Sequence, residues 1–370
     1  MKYDVAVVGL GIVGASAVYA AAWAGVRVLA LDAGPAGGGT SGSSFAWLNS
    51  VHKEPEVYHR LNAAGMTAHR ELSRELGGDA GYHEGGSLEW ADAGEAEREL
   101  RERVHRLAAR GYPADWISHD RALELEPGLA IPDRVREVAF FAADAWLDAP
   151  RLVGRLLAAA AARGADVREG TAVRSLRTRG DRVEALALDG GEVTARSVLV
   201  CVGPGTQAFL EPLGVAMPVG RVSGLLAVTS RPAVSLGRVV HAPGVHVRPD
   251  AGGGLLIGAE DVDTLLANSG SPASLSALLG ERAGRVFPAA RQLRIADSRI
   301  GVRPMPSDRH TIAGRIPGYA NGWLIATHSG VTLGPLLGRL LADEIVHDKP
   351  SSVLTPFRPD RFLTAGVATR

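Results

Sequence analysis

The sequence predicts an α/β protein: a mostly parallel sheet covered by helices, interrupted by a second, mostly antiparallel sheet that is itself flanked by helices. Three observations predict it. The chain opens with a strand, a glycine-rich turn, a small-residue helix and a second strand. From about residue 218 the texture changes to strand-like runs broken by Gly and Pro. The last fifty residues return to a strand followed by a long helix.

Each element follows from its local pattern. In "YDVAVVGLGIVGASAVYAAAWAGVRVLALDAG" two apolar, β-branched runs flank a helix, as expected of parallel strands buried on both faces. Helical periodicity appears over 56–76 and, more polar, over 94–110. "RLVGRLLAAAAARGADV" reads as a helix feeding a strand, "AVRSLRTRGDRVEALAL" as a hairpin, and "SVLVCVG" as a short buried strand. "GLLAVTS", "VVHAPGVHVRP" and "GGLLIGAE" are the strand-like runs of the second sheet. "GWLIATHSG" is a strand and "TLGPLLGRLLADEIV" a helix. No repeat or low-complexity linker divides the chain. The expected division assigns 1–80, 145–217 and 298–370 to a nucleotide domain, and 81–144 and 218–297 to the inserted domain.

Bulk properties narrow the function. The 370 residues are 46% hydrophobic and 22% charged with a formal net charge of zero, values of an ordinary globular protein. Without a basic excess, nucleic acid is not an expected partner. Arg greatly outnumbers Lys, whose only members are Lys2, Lys53 and Lys349. A single cysteine, Cys201, excludes an intrachain disulfide and a thiolate metal cluster, and a cytoplasmic setting is expected. Val5 to Val26 carries no charge and is long enough to span a bilayer. However, Gly9, Gly11 and Gly14 interrupt it, and Asp4 spoils the basic flank of a signal peptide. No membrane span is expected.

Gly9, Gly11 and Gly14 form G-x-G-x-x-G between strand and helix. Such glycines allow a tight turn, close approach of backbone to a pyrophosphate, and helix–strand contact, while the helix N-terminus offers free N–H groups to phosphate. Asp32 ends the second strand, where a carboxylate accepts from an adenosine ribose and disfavours a 2′-phosphate. The following "AGPAGGGTSGSSFAWLNS" is rich in hydroxyls able to donate to phosphate or flavin oxygens, which favours FAD over NAD.

With these features in place the sequence resembles the D-amino-acid oxidase superfamily of FAD-dependent amine oxidoreductases over nearly its whole length. The resemblance rests on "VVGLGIVGASAVYAAAWAGVRVLALDAG", "GTSGSSFAW", "VLVCVGPGTQAFLEPLG", "VRPDAGGGLLIGAE", "GVRPMPSDRHTIAG" and "THSGVTLGPLLGRLLADEI". It implies a Rossmann-like, glutathione-reductase-like FAD-binding domain with an inserted substrate domain. Gly9, Gly11, Ile12, Val13, Gly14, Asp32 and Ala33 would hold the ADP half of non-covalent FAD. Thr40, Ser41, Ser43, Ser44, Ala46 and Trp47 match the loop along the pyrophosphate and flavin edge, with Trp47 also facing substrate. Val173 matches the position meeting adenine, and Gly203 the small-residue turn after "VLVCV". His328, Ser329, Gly330, Val331 and Thr332 match the turn before the last helix, whose amides and dipole would face the reduced ring. Arg303, in "GVRP", matches the arginine that clasps a substrate carboxylate above the flavin. Its planar fork suits a bidentate partner. A structural reading of Arg303 stays open: a pair with Asp308 or a backbone carbonyl.

The implied reaction is oxidation of the C–N bond of an amino acid or small amine to an imine, by hydride transfer to flavin N5 and reoxidation by oxygen. The alternatives are a dehydrogenase using a quinone or carrier, or a biosynthetic amine or imine oxidase whose substrate lacks a carboxylate. Several residues depart from the family pattern. His246 stands where amino-acid oxidases often carry a tyrosine, and Leu256 where sarcosine oxidases carry a lysine tied to oxygen reactivity. His246 and His328 are the candidate groups for proton balance beside Arg303, and His310 a candidate at the substrate wall. His52 and His59 carry no motif, and no carboxylate accompanies them at metal-ligand spacing, so no metal is expected.

Overall fold

The computed structural model describes residues 2–78 and 80–363. Met1, Asp79 and residues 364–370, which the sequence division also assigns, lie outside the described residues. Two sheets carry the fold. The first has six strands in the order Ile312–Arg315, Gly322–Ala326, Ala195–Val200, Tyr3–Val8, Val28–Leu31 and Asp166–Arg168. Its neighbours run parallel except for the antiparallel pair Ile312–Arg315 and Gly322–Ala326.

Period-two alternation divides the first strand between two cores. Val5 and Val7 face the helices Ile12–Trp23, Ala149–Ala161 and Gly330–His347. Ala6 and Val8 face the small antiparallel sheet of Val173–Arg179, Arg182–Leu188 and Gly191–Val193 through Leu176, Val183 and Leu186. Burial on both faces explains why these strands read as continuous apolar runs. The helices expected over 56–76 and 94–110 are Glu56–Glu75 and Glu95–Ala109.

The second sheet has eight strands: Ile295–Pro306, Val219–Thr229, Leu255–Gly258, Val245–Pro249, Val239–Ala242, Ser87–Glu89, Glu137–Phe141 and Ala114–Ser118. It is antiparallel apart from the pairing of Val239–Ala242 with Ser87–Glu89. Its apolar face packs on Pro272–Val286 through Leu275, Leu279 and Ala283. Residues 298–306, grouped at the sequence level with the nucleotide domain, extend this sheet: Ile295–Pro306 pairs along the length of Val219–Thr229. It is an edge strand, which is where Pro304 and Pro306 can be accommodated in a ladder.

The first and last helices are pressed together by missing side chains. A Cβ on Gly338 would stand 2.6 Å from the carbonyl carbon of Ser16, and one on Gly334 3.2 Å from Ile12. Fully buried Leu333, Leu337 and Leu341 line the same helix, each contributing about 1.5–3 kcal/mol on burial. The contact sets the N-termini of both helices side by side, with Gly330 next to Val13. Gly65 brings Glu56–Glu75 into the same junction, its hydrogen facing the Thr332 carbonyl. No helix among the described residues is long and apolar enough to cross a membrane.

Gly338→Val is expected to lower the unfolding free energy by about 1–3 kcal/mol through overpacking. A fall in the urea midpoint at unchanged m-value checks this.

Candidate active site

At the C-terminal ends of the parallel strands the fingerprint residues form one cradle, where ligands of open α/β sheets bind. Gly9 has φ +97°, and a Cβ there would stand 2.5 Å from the Cys201 carbonyl oxygen. A Cβ on Gly14 would lie 1.9 Å from the Gly9 carbonyl, so helix and turn touch backbone to backbone. Gly11 begins the helix without a side-chain cap, and Ser41 Oγ accepts from the Ile12 N–H at 2.9 Å. Asp32 accepts from the N–H groups of Leu10 at 2.6 Å and Gly34 at 2.9 Å, flanking Ala33. Thr171 donates its N–H to the Asp32 carbonyl, which brings the start of the Val173 strand to the same edge. Gly203, at φ +53°, follows Cys201 into open space. Cys201 itself is buried, its thiol pushed above the usual range by that burial.

The hydroxyl-rich loop leaves this cradle and docks on the second sheet. Thr40 Oγ1 donates to the Val302 carbonyl, and the Ser43 carbonyl oxygen lies 2.7 Å from where a Cβ on Gly301 would be. Ser44 Oγ accepts from the N–H of Ala46, which adopts φ +51°. The buried guanidinium of Arg248 donates to the Phe45 and Pro249 carbonyls and lies over the Trp146 ring. Trp47 donates from Nε1 to Asp144 at 2.9 Å, and its ring centroid stands 4.1 Å from that of His241. Asp144 is buried and pushed up to about 7 by that burial, against hydrogen bonds from Tyr112, Ser87 and Trp47.

Arg303 lies one strand-pair from Val222, beside the docked loop. Its Nη2 donates to Asp263 Oδ2 at 2.6 Å and to the Ser223 carbonyl at 3.3 Å. Asp308, considered as its partner from the sequence, is instead held by Arg361 at 2.7 Å. The cause is the pleat: the glycine at 224 leaves room for the Arg303–Asp263 pair, a Cβ there standing 3.0 Å from each. Asp263 is fixed in turn by the Leu225 N–H at 2.8 Å. Arg303 Nε is buried without a partner, so one edge of the fork is anchored and donor capacity remains.

The three candidate histidines are placed differently. His246 packs edge-on against Phe45, with ring centroids 4.5 Å apart. Burial, then the Arg303 charge, lowers its pKa to about 4. His328 is exposed in the turn before the last helix. Desolvation, then the charges of Lys53, Arg303 and Arg309, lowers it to about 4. His310 stacks edge-on to Tyr58 at 5.1 Å and meets the Glu54 carbonyl at 3.1 Å, the arrangement of a wall residue. Tyr58 also shares a hydrogen bond with Ser329 Oγ at 2.9 Å, and His69 Nε2 meets the Val331 carbonyl at 2.6 Å. These hold the turn 328–332 at the start of the last helix, which has no side-chain cap. His59 is buried against Ser50. Among the described residues no group of three or more His, Cys, Asp or Glu is arranged to hold a metal ion.

Sequence reasoning singled out neither Asp263, Asp144, Tyr58 nor Lys53. Asp263 lies forty positions from Arg303 and carries no motif, so only folding reveals the pair. Lys53 had one signal, its rarity among the basic residues.

A glycine cradle for a dinucleotide, joined by one loop to a sheet bearing a cation, defines a two-domain flavin-type oxidoreductase. The chain belongs to the FAD-dependent oxidoreductase family: the family described as "FAD dependent oxidoreductase" matches residues 4–344. It is 28% identical to the glycine oxidase of Geobacillus kaustophilus (strain HTA426), over 98% of each chain. It is also 28% identical to one of the opine oxidase subunits of Agrobacterium tumefaciens (strain Ach5), again over 98% of each. The crystal structure of glycine oxidase from Geobacillus kaustophilus superposes with a TM-score of 0.86 at 27% identity, covering 99% of both chains. The resemblance to the D-amino-acid oxidase superfamily is thus borne out, and FAD is the cofactor that the cradle fits.

Acid should destabilise the fold. His69, His246 and His328 stay neutral in the folded state down to about 4, whereas in the unfolded chain they take up protons near 6.5. The unfolded state therefore binds more protons between these values, and stability falls as pH drops through that window. For the protein without added ligand, His246→Gln is expected to remove roughly 2–3 kcal/mol of the loss between pH 7 and 4, read from urea unfolding at both.

Proposed function

We propose that this FAD enzyme oxidises the C–N bond of an amine that carries a carboxylate, with Arg303 orienting that carboxylate. The observation carrying this reading is the half-anchored guanidinium. Asp263 and the Ser223 carbonyl hold one end, Nε is without a partner, and the strand beside it is docked on the flavin loop through Thr40. The Arg303 side chain is still 34% exposed, and a carboxylate could meet its accessible part with charge-assisted hydrogen bonds. Bound FAD supplies the acceptor for the electron pair that leaves the carbon beside nitrogen.

The chain's own residues act on position and protonation. Loss of a hydride equivalent from carbon and a proton from nitrogen leaves C=N, which water converts to a carbonyl compound and a free amine. That requires the neutral amine, because an ammonium has no lone pair to form the double bond. The charges of Arg303, Lys53 and Arg309 all act on His328, and the same field disfavours an ammonium nearby. His246 and His328, neutral at pH 7, accept hydrogen bonds from an N–H without adding charge. Amides at Gly330, Val331 and Thr332 begin the last helix and favour negative charge at its N-terminus. The glycine oxidase and the opine oxidase chain, the relatives at 28% identity, carry names consistent with an amino-acid or amino-acid-derived substrate.

Oxygen is the proposed terminal acceptor. One observation favours the second reading, a carrier acceptor: Leu256 is fully buried with Leu226, Val228 and Phe45, so that position supplies no cation for oxygen chemistry. Peroxide formed per substrate consumed, against reduction of a dye, decides between them. A stoichiometric peroxide yield supports oxygen.

Arg303→Met should lower kcat/KM for a carboxylate-bearing amine by roughly 30- to 1000-fold, about 2–4 kcal/mol, chiefly through KM, with flavin still bound. Anaerobic bleaching of the flavin by amines and amino acids measures it. An unchanged kcat/KM removes Arg303 from the site.

A further inference from the structure

We propose that His69 is a positioning residue of the cofactor site: its Nε2–H takes the place of the backbone donor that Pro335 lacks, and so aims the Thr332 amide at the reduced flavin. This role rests on the reading above in which the amides of 330–332 favour negative charge at the ring; Arg303 and the nature of the substrate play no part in it.

A proline sets the requirement. In a regular helix the N–H of each residue bonds to the carbonyl four positions back, and a proline both lacks that N–H and crowds that carbonyl. Pro335 lies buried inside Gly330–His347. The carbonyl that loses its amide is therefore that of Val331, in the first turn. Such a carbonyl needs another donor. His69 Nε2 stands 2.6 Å from the Val331 oxygen. A carbonyl only accepts, so Nε2 carries the proton, and neutral His69 is the Nε2–H tautomer. Burial lowers its pKa to about 4, against the raising effect of this bond, so the ring is neutral at pH 7.

The surroundings of His69 suit the task. It is buried in the stripe Tyr58, Asn62, Gly65 and His69 of Glu56–Glu75, whose spacing lays them along one face. Three members of the stripe meet the start of the last helix. Tyr58 reaches Ser329 Oγ at 2.9 Å, Gly65 lies against the Thr332 carbonyl, and His69 reaches Val331. The Tyr82 ring lies nearly parallel to that of His69, 13° apart in plane and 6.4 Å between centroids. Leu333 is the first residue to bond within the helix, its N–H donating to the Ser329 carbonyl at 2.9 Å. Thr332 N–H is thus the last of the amides that a helix N-terminus leaves free. It shares one planar peptide unit with the Val331 carbonyl, and the two point opposite ways. Holding the oxygen on His69 therefore sets the direction of the N–H, which is available to negative charge at that end.

The test is a double-mutant cycle read in two ways: FAD affinity, from titration of the apoprotein, and the two-electron potential of the bound flavin at saturating FAD. His69→Leu should weaken FAD binding by about tenfold or more and lower the potential, because the reduced ring loses an aimed amide. His69→Gln keeps a donor and should stay within about threefold of the wild-type affinity. Pro335→Ala gives the chain back the missing N–H. In that background His69→Leu should change affinity by less than about threefold and leave the potential where Pro335→Ala alone sets it. An equal loss in both backgrounds overturns the link to Pro335. Affinity unaffected by His69→Leu overturns the role outright, and so does weaker binding at unchanged potential, the result of a merely structural contact. If His69→Leu does not fold by itself, the double variant decides: folded and binding FAD upholds the role, equally unfolded overturns it. No substrate enters these measurements. Failure of every amine to bleach the flavin would sink amine oxidation and leave His69 in its role, whereas bleaching without the coupling does the reverse.

Discussion

The contact between the first helix and the last is the constraint on which the rest of the site depends. Gly334 and Gly338 let Gly330–His347 approach the backbone of Ile12–Trp23 with no side chain between. Helices this close share one direction of approach, so their uncapped N-termini open at the same edge of the parallel sheet. One offers amides for a pyrophosphate, the other for charge on a ring. Glu56–Glu75 locks onto the pair at Gly65 and sends Tyr58 back to Ser329. A side chain at any of these glycines would separate two halves of one cofactor site.

The second sheet contributes charge and is held to the first by a short loop. Thr40 and Ser43 sit on Val302 and Gly301, Arg248 holds the Phe45 carbonyl, and Asp144 holds Trp47. These bonds tie the cofactor loop to the strand of Arg303. In the role proposed for Arg303, an orienting guanidinium is useful only if its distance from the reacting ring is fixed. Asp263 serves the same end by holding one edge of the fork.

The charges around Arg303 and His328 are lopsided. The charges of Lys53, Arg303 and Arg309 act on His328, the nearby acids are paired, Asp263 with Arg303 and Asp308 with Arg361, and His246 and His328 remain neutral at pH 7. Such a field favours anionic substrates and uncharged amines together. The proposed reaction, which starts from an amine lone pair beside a carboxylate, needs that combination.

Local chemistry was sufficient for much of this in the sequence. The six-stranded sheet, its helices, the glycine turn and Asp32 each obey short-range rules of period, turn and cap, so "VVGLGIVG" and "THSGVTLGPLLG" could be read directly. The position of Arg303 was legible as a motif, but its partner was not. Which acid neutralises it depends on how Val219–Thr229 registers with Ile295–Pro306 and where Glu260–Ala267 packs, and the answer was Asp263 rather than Asp308. The same register moved 298–306 into the second sheet. The sequence alone determined the helices, strands and glycine turn, because those rest on neighbours within a few residues, while Cys201, Ser41 and Thr171 join the cradle only through the fold. Tertiary structure alone decided the pairing of charges, because ion pairs join residues that only the folded sheets bring together.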